Sequence, residues 1–337
     1  MKKKTAVSLF SAAVFSLSAV SFMACAQGSD DVGAPEAVQV YMPDGAPALA
    51  LAKLMNEGGT DAEYHVVDSS TIQVYVTGDA PAADVCVLPV NLASKLLGTG
   101  EEYQMLGTVT HGNLYMLSAD AQTQYTTETL SALVGKTVGV VQLANVPGLT
   151  FKVILNANEI AWQELTNDSS PAADKVNLRA ITPDQASPAG GMDCYVVPEP
   201  AASVKADKTS LEFVGDLQAL YGGEAGYPQA VIVAKNTLIE SDGEWLSGFL
   251  AELPAAAEWL TETEPATIVN AVSAHLTPGM TPSLSVENLS LTAIQHSGVR
   301  FESAASCKAE VNAFLEKLIA VNASAATVVS DAFYYQP

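Results

Sequence analysis

Asp84, Pro89, Ala93 and Ser94 recur at identical offsets, without a gap, as Asp193, Pro198, Ala202 and Ser203. Apolar residues fill both stretches between the Asp and the Pro. A buried strand, a proline stop and a helix start are therefore written twice. Pro47 and Pro147 make a second matching pair. Each follows a strand and a short loop, at a first-turn position where its missing N–H costs nothing. Matched strand–loop–helix units this far apart in the chain predict two similarly folded lobes, each a parallel sheet with helices on its faces. Short-period repeats of the solenoid kind are absent.

The first lobe opens with a β-branched alternating strand, Val38 to Met42, a Pro43–Ala46 turn and an Ala/Leu-rich helix to about Asn56. A strand from Glu63 to Val67 follows. Asp68, Ser69 and Ser70 are placed to cap a helix running to about Val76. Asp84 to Leu88 is a buried strand leading into the helix Leu92–Leu97. The second lobe restarts with a strand from Lys136 to Val141 and a helix from Gly148, then strands Val176–Ile181 and Asp193–Val197. Between the halves, Tyr103–Val109 and Asn113–Ser118 read as extended segments joined by Thr110-His111-Gly112. Gly226-Tyr227-Pro228 leads back into a strand from Gln229. The remainder reads as helices over about 243–261, 265–276, 286–296 and 304–321.

The N-terminus reads as an address. Three lysines follow Met1, an uncharged apolar stretch runs from Thr5 to Met23, and Ala24-Cys25 ends it, the form of a secretory signal. Residues 26–36 are mostly Gly, Ser, Asp, Ala and Pro, a flexible tether.

Charge and composition exclude several functions. Lys and Arg total 15 against 37 Asp and Glu, for a net charge of −22, so a phosphate backbone is repelled and nucleic acid is not a partner. Only Arg179 and Arg300 are arginines, which disfavours a site built on several guanidinium forks around an oxyanion. Cys86, Cys194 and Cys307 have no metal-type spacing, and the four histidines are scattered, so no metal or cofactor is expected. Cys86 and Cys194 lie in apolar runs and read as small buried hydrophobes. Gly135-Lys136-Thr137 imitates the end of a P-loop, but Leu130 stands at the first glycine and the segment precedes a strand.

Taken together, the signal, the two-lobe order and the segments Tyr41–Pro47, Leu88–Ala93 and Val197–Ala201 resemble bacterial ABC-transporter solute-binding lipoproteins. The resemblance is to the type II periplasmic-binding fold, in its nitrate, sulfonate and thiamine-precursor branch. It implies cleavage before Cys25, lipid on Cys25, and an extracytoplasmic protein held to the membrane. Two Rossmann-like α/β lobes would be joined by a two-segment hinge, with a helical C-terminal region. The boundaries are 1–24 for the signal, 25–36 for the tether, 37–111 with 229–337 for the first lobe, and 112–228 for the second. The implied partners are a small-molecule solute, a permease and its ATPase subunits.

Ligands of open parallel sheets sit beyond the carboxyl ends of the strands, so the loops there supply the candidate ligand-binding residues. These are Asp44, Gly45 and Ala46 after the first strand, Ser69 and Ser70 after the second, and Asn91 after the third. Asn145, Val146 and Glu199 follow strands of the second lobe. His111 and Tyr227 lie at the crossings. Asp44 and Glu199 suit an amine or a heteroaromatic cation, and the scarcity of arginine favours a neutral or cationic organic solute over an anion. The expectation is a binding protein and not an enzyme. The alternative is a secreted enzyme, or a sensory or structural lipoprotein, on the same scaffold.

Overall fold

The computed structural model describes residues 37–58, 61–223 and 225–337. The signal, Cys25 and the tether lie outside the described residues. Among the described residues, twelve strands form two six-stranded sheets. They are β1 (Val38–Pro43), β2 (Ala62–Val67), β3 (Val85–Pro89), β4 (Tyr103–Thr110), β5 (Leu114–Ser118), β6 (Thr137–Val141), β7 (Trp162–Leu165), β8 (Val176–Ile181), β9 (Cys194–Pro198), β10 (Glu212–Asp216), β11 (Ala230–Lys235) and β12 (Val299–Ser303).

The first sheet has the order β12-β4-β11-β3-β1-β2 and the second β10-β5-β9-β6-β8-β7. The three strands β2-β1-β3 are parallel, as are β8-β6-β9, and the next strand in each sheet, β11 or β5, runs antiparallel. β5 follows β4 in the chain yet lies in the second sheet, and β11 returns to the first. Each sheet thus takes its antiparallel strand from a segment that has just crossed.

The repeat has a physical role. The Asp84 carboxylate accepts from the backbone N–H of Gln39 in β1 at 2.9 Å, and Asp193 accepts from Thr137 in β6 at 2.7 Å. Their own N–H groups donate to the carbonyls of the same two residues, both at 2.9 Å. The aspartates pin the first and third strands of each lobe in one register.

Strand alternation divides the core. Cys86 and Leu88 face a cluster that also holds Val138, Val140 and Val196 of the second lobe, while Val85 and Val87 face a separate cluster under the helices of residues 46–57 and 236–296. Tyr195 and Val197 face a third, smaller one. Helix Ala304–Val321 packs on helix Val146–Ala157, so one apolar core runs from lobe to lobe. Each fully buried aliphatic side chain there contributes about 1.5–3 kcal/mol.

Several expected elements change. The helix expected to Val76 is a single 3-10 turn, Ile72–Tyr75, because Asp68 folds back on Ser70 instead of capping a helix. The helix expected over 243–261 breaks at Leu253–Ala255, where Pro254 removes an N–H donor. The helix expected over 286–296 is only Leu291–His296, capped by Ser290. β7, β10 and β12 had no expectation; β7, β10 and β12 are short or edge strands with weak alternation. Among the described residues no helix is long and apolar enough to cross a membrane.

Candidate functional site

Three segments meet where the chain passes between the sheets. The first crossing is His111-Gly112-Asn113, the second leads through Gly226-Tyr227-Pro228, and Gly298, just before β12, lies against the first. All three glycines have positive φ, at 87°, 72° and 63°. A Cβ on Gly226 would strike the His111 carbonyl oxygen, and one on Gly298 would strike that of Gly112. The backbones therefore touch, and His111 N–H donates to the Gly298 carbonyl at 2.8 Å. Asn113 ties the crossings to both lobes. It accepts from Gln229 Nε2 at 3.0 Å and from the Glu199 N–H at 2.9 Å, and its own amide donates to the Glu199 carbonyl at 3.3 Å.

A groove of about 360 Å³ lies beside this junction. Tyr115, Asp216 and Gln218 line it from the second lobe, and Gln295, His296 and Arg300 from the first, with His111 at the crossing. A second cavity of about 440 Å³ shares Tyr115, Asp216 and His296 and extends over Phe213 and Tyr125. Asp216 caps helix Leu217–Gly222, and its Oδ1 accepts from the N–H of Gln218 and Ala219 and from Gln218 Nε2. Arg300 donates through Nε to Glu302 at 2.9 Å and through a terminal nitrogen to the Ala225 carbonyl at 3.1 Å.

His296 stands at the centre. Its ring stacks on Tyr115 with centroids 4.4 Å apart and meets the Phe213 edge at 5.6 Å. Its Nδ1 lies 3.2 Å from Glu199 Oε1. The Glu199 side chain is 0% exposed and also accepts from Ser203 N–H at 2.9 Å and Ser203 Oγ at 2.8 Å. His111 is buried, with Nε2 3.0 Å from Thr108 Oγ1. Burial, then the Arg300 charge, lowers its pKa to about 4, so the ring is neutral. Burial, reinforced by Asp216, raises the Tyr115 phenol.

The sequence candidates separate into groups. His111 lines the groove, and Glu199 is buried behind it, in contact with the lining residue His296. Asp44 holds the Gly45 N–H at 2.7 Å and the Ser283 N–H at 2.6 Å. Gly45 takes the positive φ that this turn needs, and Ala46 is buried behind it. Ser69 and Ser70 are exposed, and Ser70 is bonded to Asp68. Asn91 donates to the Ala325 carbonyl in the C-terminal segment at 3.2 Å. Asn145 is exposed at the start of helix Val146–Ala157 and makes no side-chain cap; Val146 is buried. Tyr227 is fully buried between Tyr221 and Phe314, with ring centroids 5.4 Å from each. Missing from the sequence reading were Tyr115, Phe213, Asp216, His296 and Arg300. Only Asp216 carried a local signal, an acid directly before a short helix.

No protein-family profile and no curated protein matches the chain. Solved structures do. An ABC transporter from Parabacteroides distasonis matches with a TM-score of 0.66 at 16% identity, over 89% of this chain and 99% of that one. The periplasmic aliphatic sulphonate binding protein SsuA from Escherichia coli matches at 0.62 and 15%, over 90% and 93%. A mutant of DszB in complex with biphenyl-2-sulfinic acid matches at 0.56 and 14%, over 88% and 96%. At such identities the likeness shows the fold, two six-stranded α/β lobes of the type II periplasmic-binding kind.

Proposed function

We propose that this chain is the extracytoplasmic solute-binding component of an ABC importer, anchored by lipid on Cys25. It takes a small organic solute between its lobes and delivers it to a permease driven by a cytoplasmic ATPase. The observation that carries this reading is the groove of about 360 Å³, walled by both lobes and adjoining glycine-built crossings. That volume lies in the range of small-molecule sites, and closing two lobes about short crossings is how such a site excludes water. The fold supports the reading because its matches include a transporter and a periplasmic binding protein. The lobes divide at 111/112 and 228/229. Of the candidate residues, His111 lines the groove and Glu199 lies buried behind its His296 wall. Binding without turnover is the activity.

The test uses the chain from Ala26 onward, screened against amines, pyrimidines, amino acids, sulfonates, nitrate and bicarbonate. A ligand at about a hundred times its dissociation constant adds about 2.7 kcal/mol of stability. The expected result is saturable binding, a smaller radius of gyration in solution scattering, and ligand recovered unchanged. Saturation with an unchanged radius removes the receptor reading, and consumption of the ligand replaces it with the enzyme. Mass spectrometry of the membrane fraction tests the anchor: an acylated Cys25 supports it, and release of an unmodified full chain refutes it.

A further inference from the structure

We infer that His296 is an internal stand-in for ligand: the niche formed by Tyr115, Phe213 and Glu199 of the second lobe recognises a planar N–H cation of imidazolium or amidinium type, and the imidazole of the first lobe fills it while the site is empty. This rests on the receptor reading and deepens it.

The argument begins with Glu199. Its carboxylate is fully buried, and a buried carboxylate is tolerated only when N–H or O–H donors surround it. Two donors come from Ser203, four residues along, and move with Glu199. The third is His296 Nδ1, which comes from the other lobe and is separated by 97 residues. If the lobes part, that donor leaves and Glu199 requires another.

The ring surfaces specify the replacement. Tyr115 offers its face to the imidazole at a 20° interplanar angle, and Phe213 stands edge-on to it at 84°. A flat, polarisable group that presents N–H at its rim and positive charge over Tyr115 satisfies both the face and the carboxylate. Asp216, beside the same cavities, adds negative potential, and the chain's net charge of −22 draws cations. Arg300 lines the smaller cavity too, but its guanidinium is engaged by Glu302 and the Ala225 carbonyl, and an anion in the vacated niche would meet the Glu199 carboxylate.

There is also room for exchange. His296 is 33% exposed and ends a six-residue helix, and it forms a wall of both cavities. Moving its side chain uncovers the Tyr115 face and leaves the two Ser203 hydrogen bonds to Glu199 in place.

Imidazole itself is the probe, added to the full chain. His296→Ala vacates the niche, so imidazole binds this variant saturably, raises its melting temperature and quenches tyrosine fluorescence. An imidazole side chain that fills the niche about nine-tenths of the time makes the wild-type chain bind about tenfold more weakly. Glu199→Gln in the His296→Ala background removes the effect, and toluene, flat but without N–H, does not reproduce it. A folded His296→Ala chain that gains nothing from imidazole, or gains equally from toluene, overturns the proposal and leaves His296 as a structural contact. A solute from the wider screen whose binding ignores Glu199→Gln and His296→Ala also overturns it while leaving the receptor reading intact.

Discussion

Gly298 lies against the carbonyl oxygen of Gly112, so closely that a Cβ at position 298 would strike that oxygen. The two residues belong to different segments, one entering β12 and one crossing between the sheets. Their contact, with Gly226 against His111, packs three backbones into the space of one side chain layer.

Gly298→Ala is therefore expected to destabilise the fold by about 1–3 kcal/mol beyond the left-handed backbone penalty alone. Gly58 has a similar φ of 58°, but nothing lies within 4 Å of its added Cβ. Gly58→Ala supplies the backbone penalty by itself, about 1 kcal/mol. Urea denaturation of both variants checks the difference, and equal losses would remove the packing argument.

Tyr227 gives a prediction of opposite sign. Its hydroxyl, Thr110 Oγ1, Thr150 Oγ1, His111 Nδ1 and Gln229 Oε1 are all buried without a hydrogen-bond partner. Four of these belong to the crossings, and Thr150 lies on helix Val146–Ala157. Deleting an unsatisfied hydroxyl removes a desolvation penalty and no bond. Tyr227→Phe is expected to leave stability unchanged within about 0.5 kcal/mol or to raise it, whereas a satisfied tyrosine would lose about 1 kcal/mol. Thermal unfolding decides between these, and a clear loss would mean that the hydroxyl is held by Thr150, by the Asn113 backbone or by a buried water.

The strand pins can be tested separately. Asp193→Ala removes the acceptor of the Thr137 N–H and is expected to cost about 1 kcal/mol. Asp84→Ala also strips the carboxylate from Lys235, 3.0 Å away and largely covered, leaving it the Pro81 carbonyl at 2.7 Å, and is expected to cost more, about 2–3 kcal/mol. Equal costs in chemical denaturation would show that the Lys235 pair contributes nothing.

Acid should weaken the fold through His111. Its folded pKa of about 4 lies below the ordinary imidazole value of 6.5, chiefly through burial and then through Arg300. The unfolded chain binds the extra proton between these values, so this stability is complete above pH 6.5 and lost as the pH falls toward 4. The loss is at most about 3 kcal/mol. His111→Gln should flatten the stability profile in that window, and an unchanged slope would assign the acid sensitivity to other groups.

The two-lobe plan was legible because it rests on local rules. Asp84 and Asp193 stand before runs of four continuously buried residues, and Pro47 and Pro147 stand where a helix start tolerates proline. Helix Ala304–Val321 was readable for the same reason, since its apolar face repeats within the segment. Edge strands such as β10 and β12 were not, because their partners and not their own alternation hold them.

Of the site, the sequence by itself determined that Glu199 follows a strand end and that His111 lies in a crossing. It could not determine what faces them. Glu199 reads locally as a first-turn acid, and only the docking of segment 291–300 against the second lobe turns it into a buried carboxylate under an imidazole. Likewise Asn91 reads in the sequence as Asn145 does, yet the C-terminal segment claims its amide through Ala325 while Asn145 stays exposed. Strand and helix periods are set by atoms a few residues apart, and the sequence carries them directly. Contacts between residues 97 apart are set by how completed elements pack, and no spacing along the chain encodes which side chain arrives.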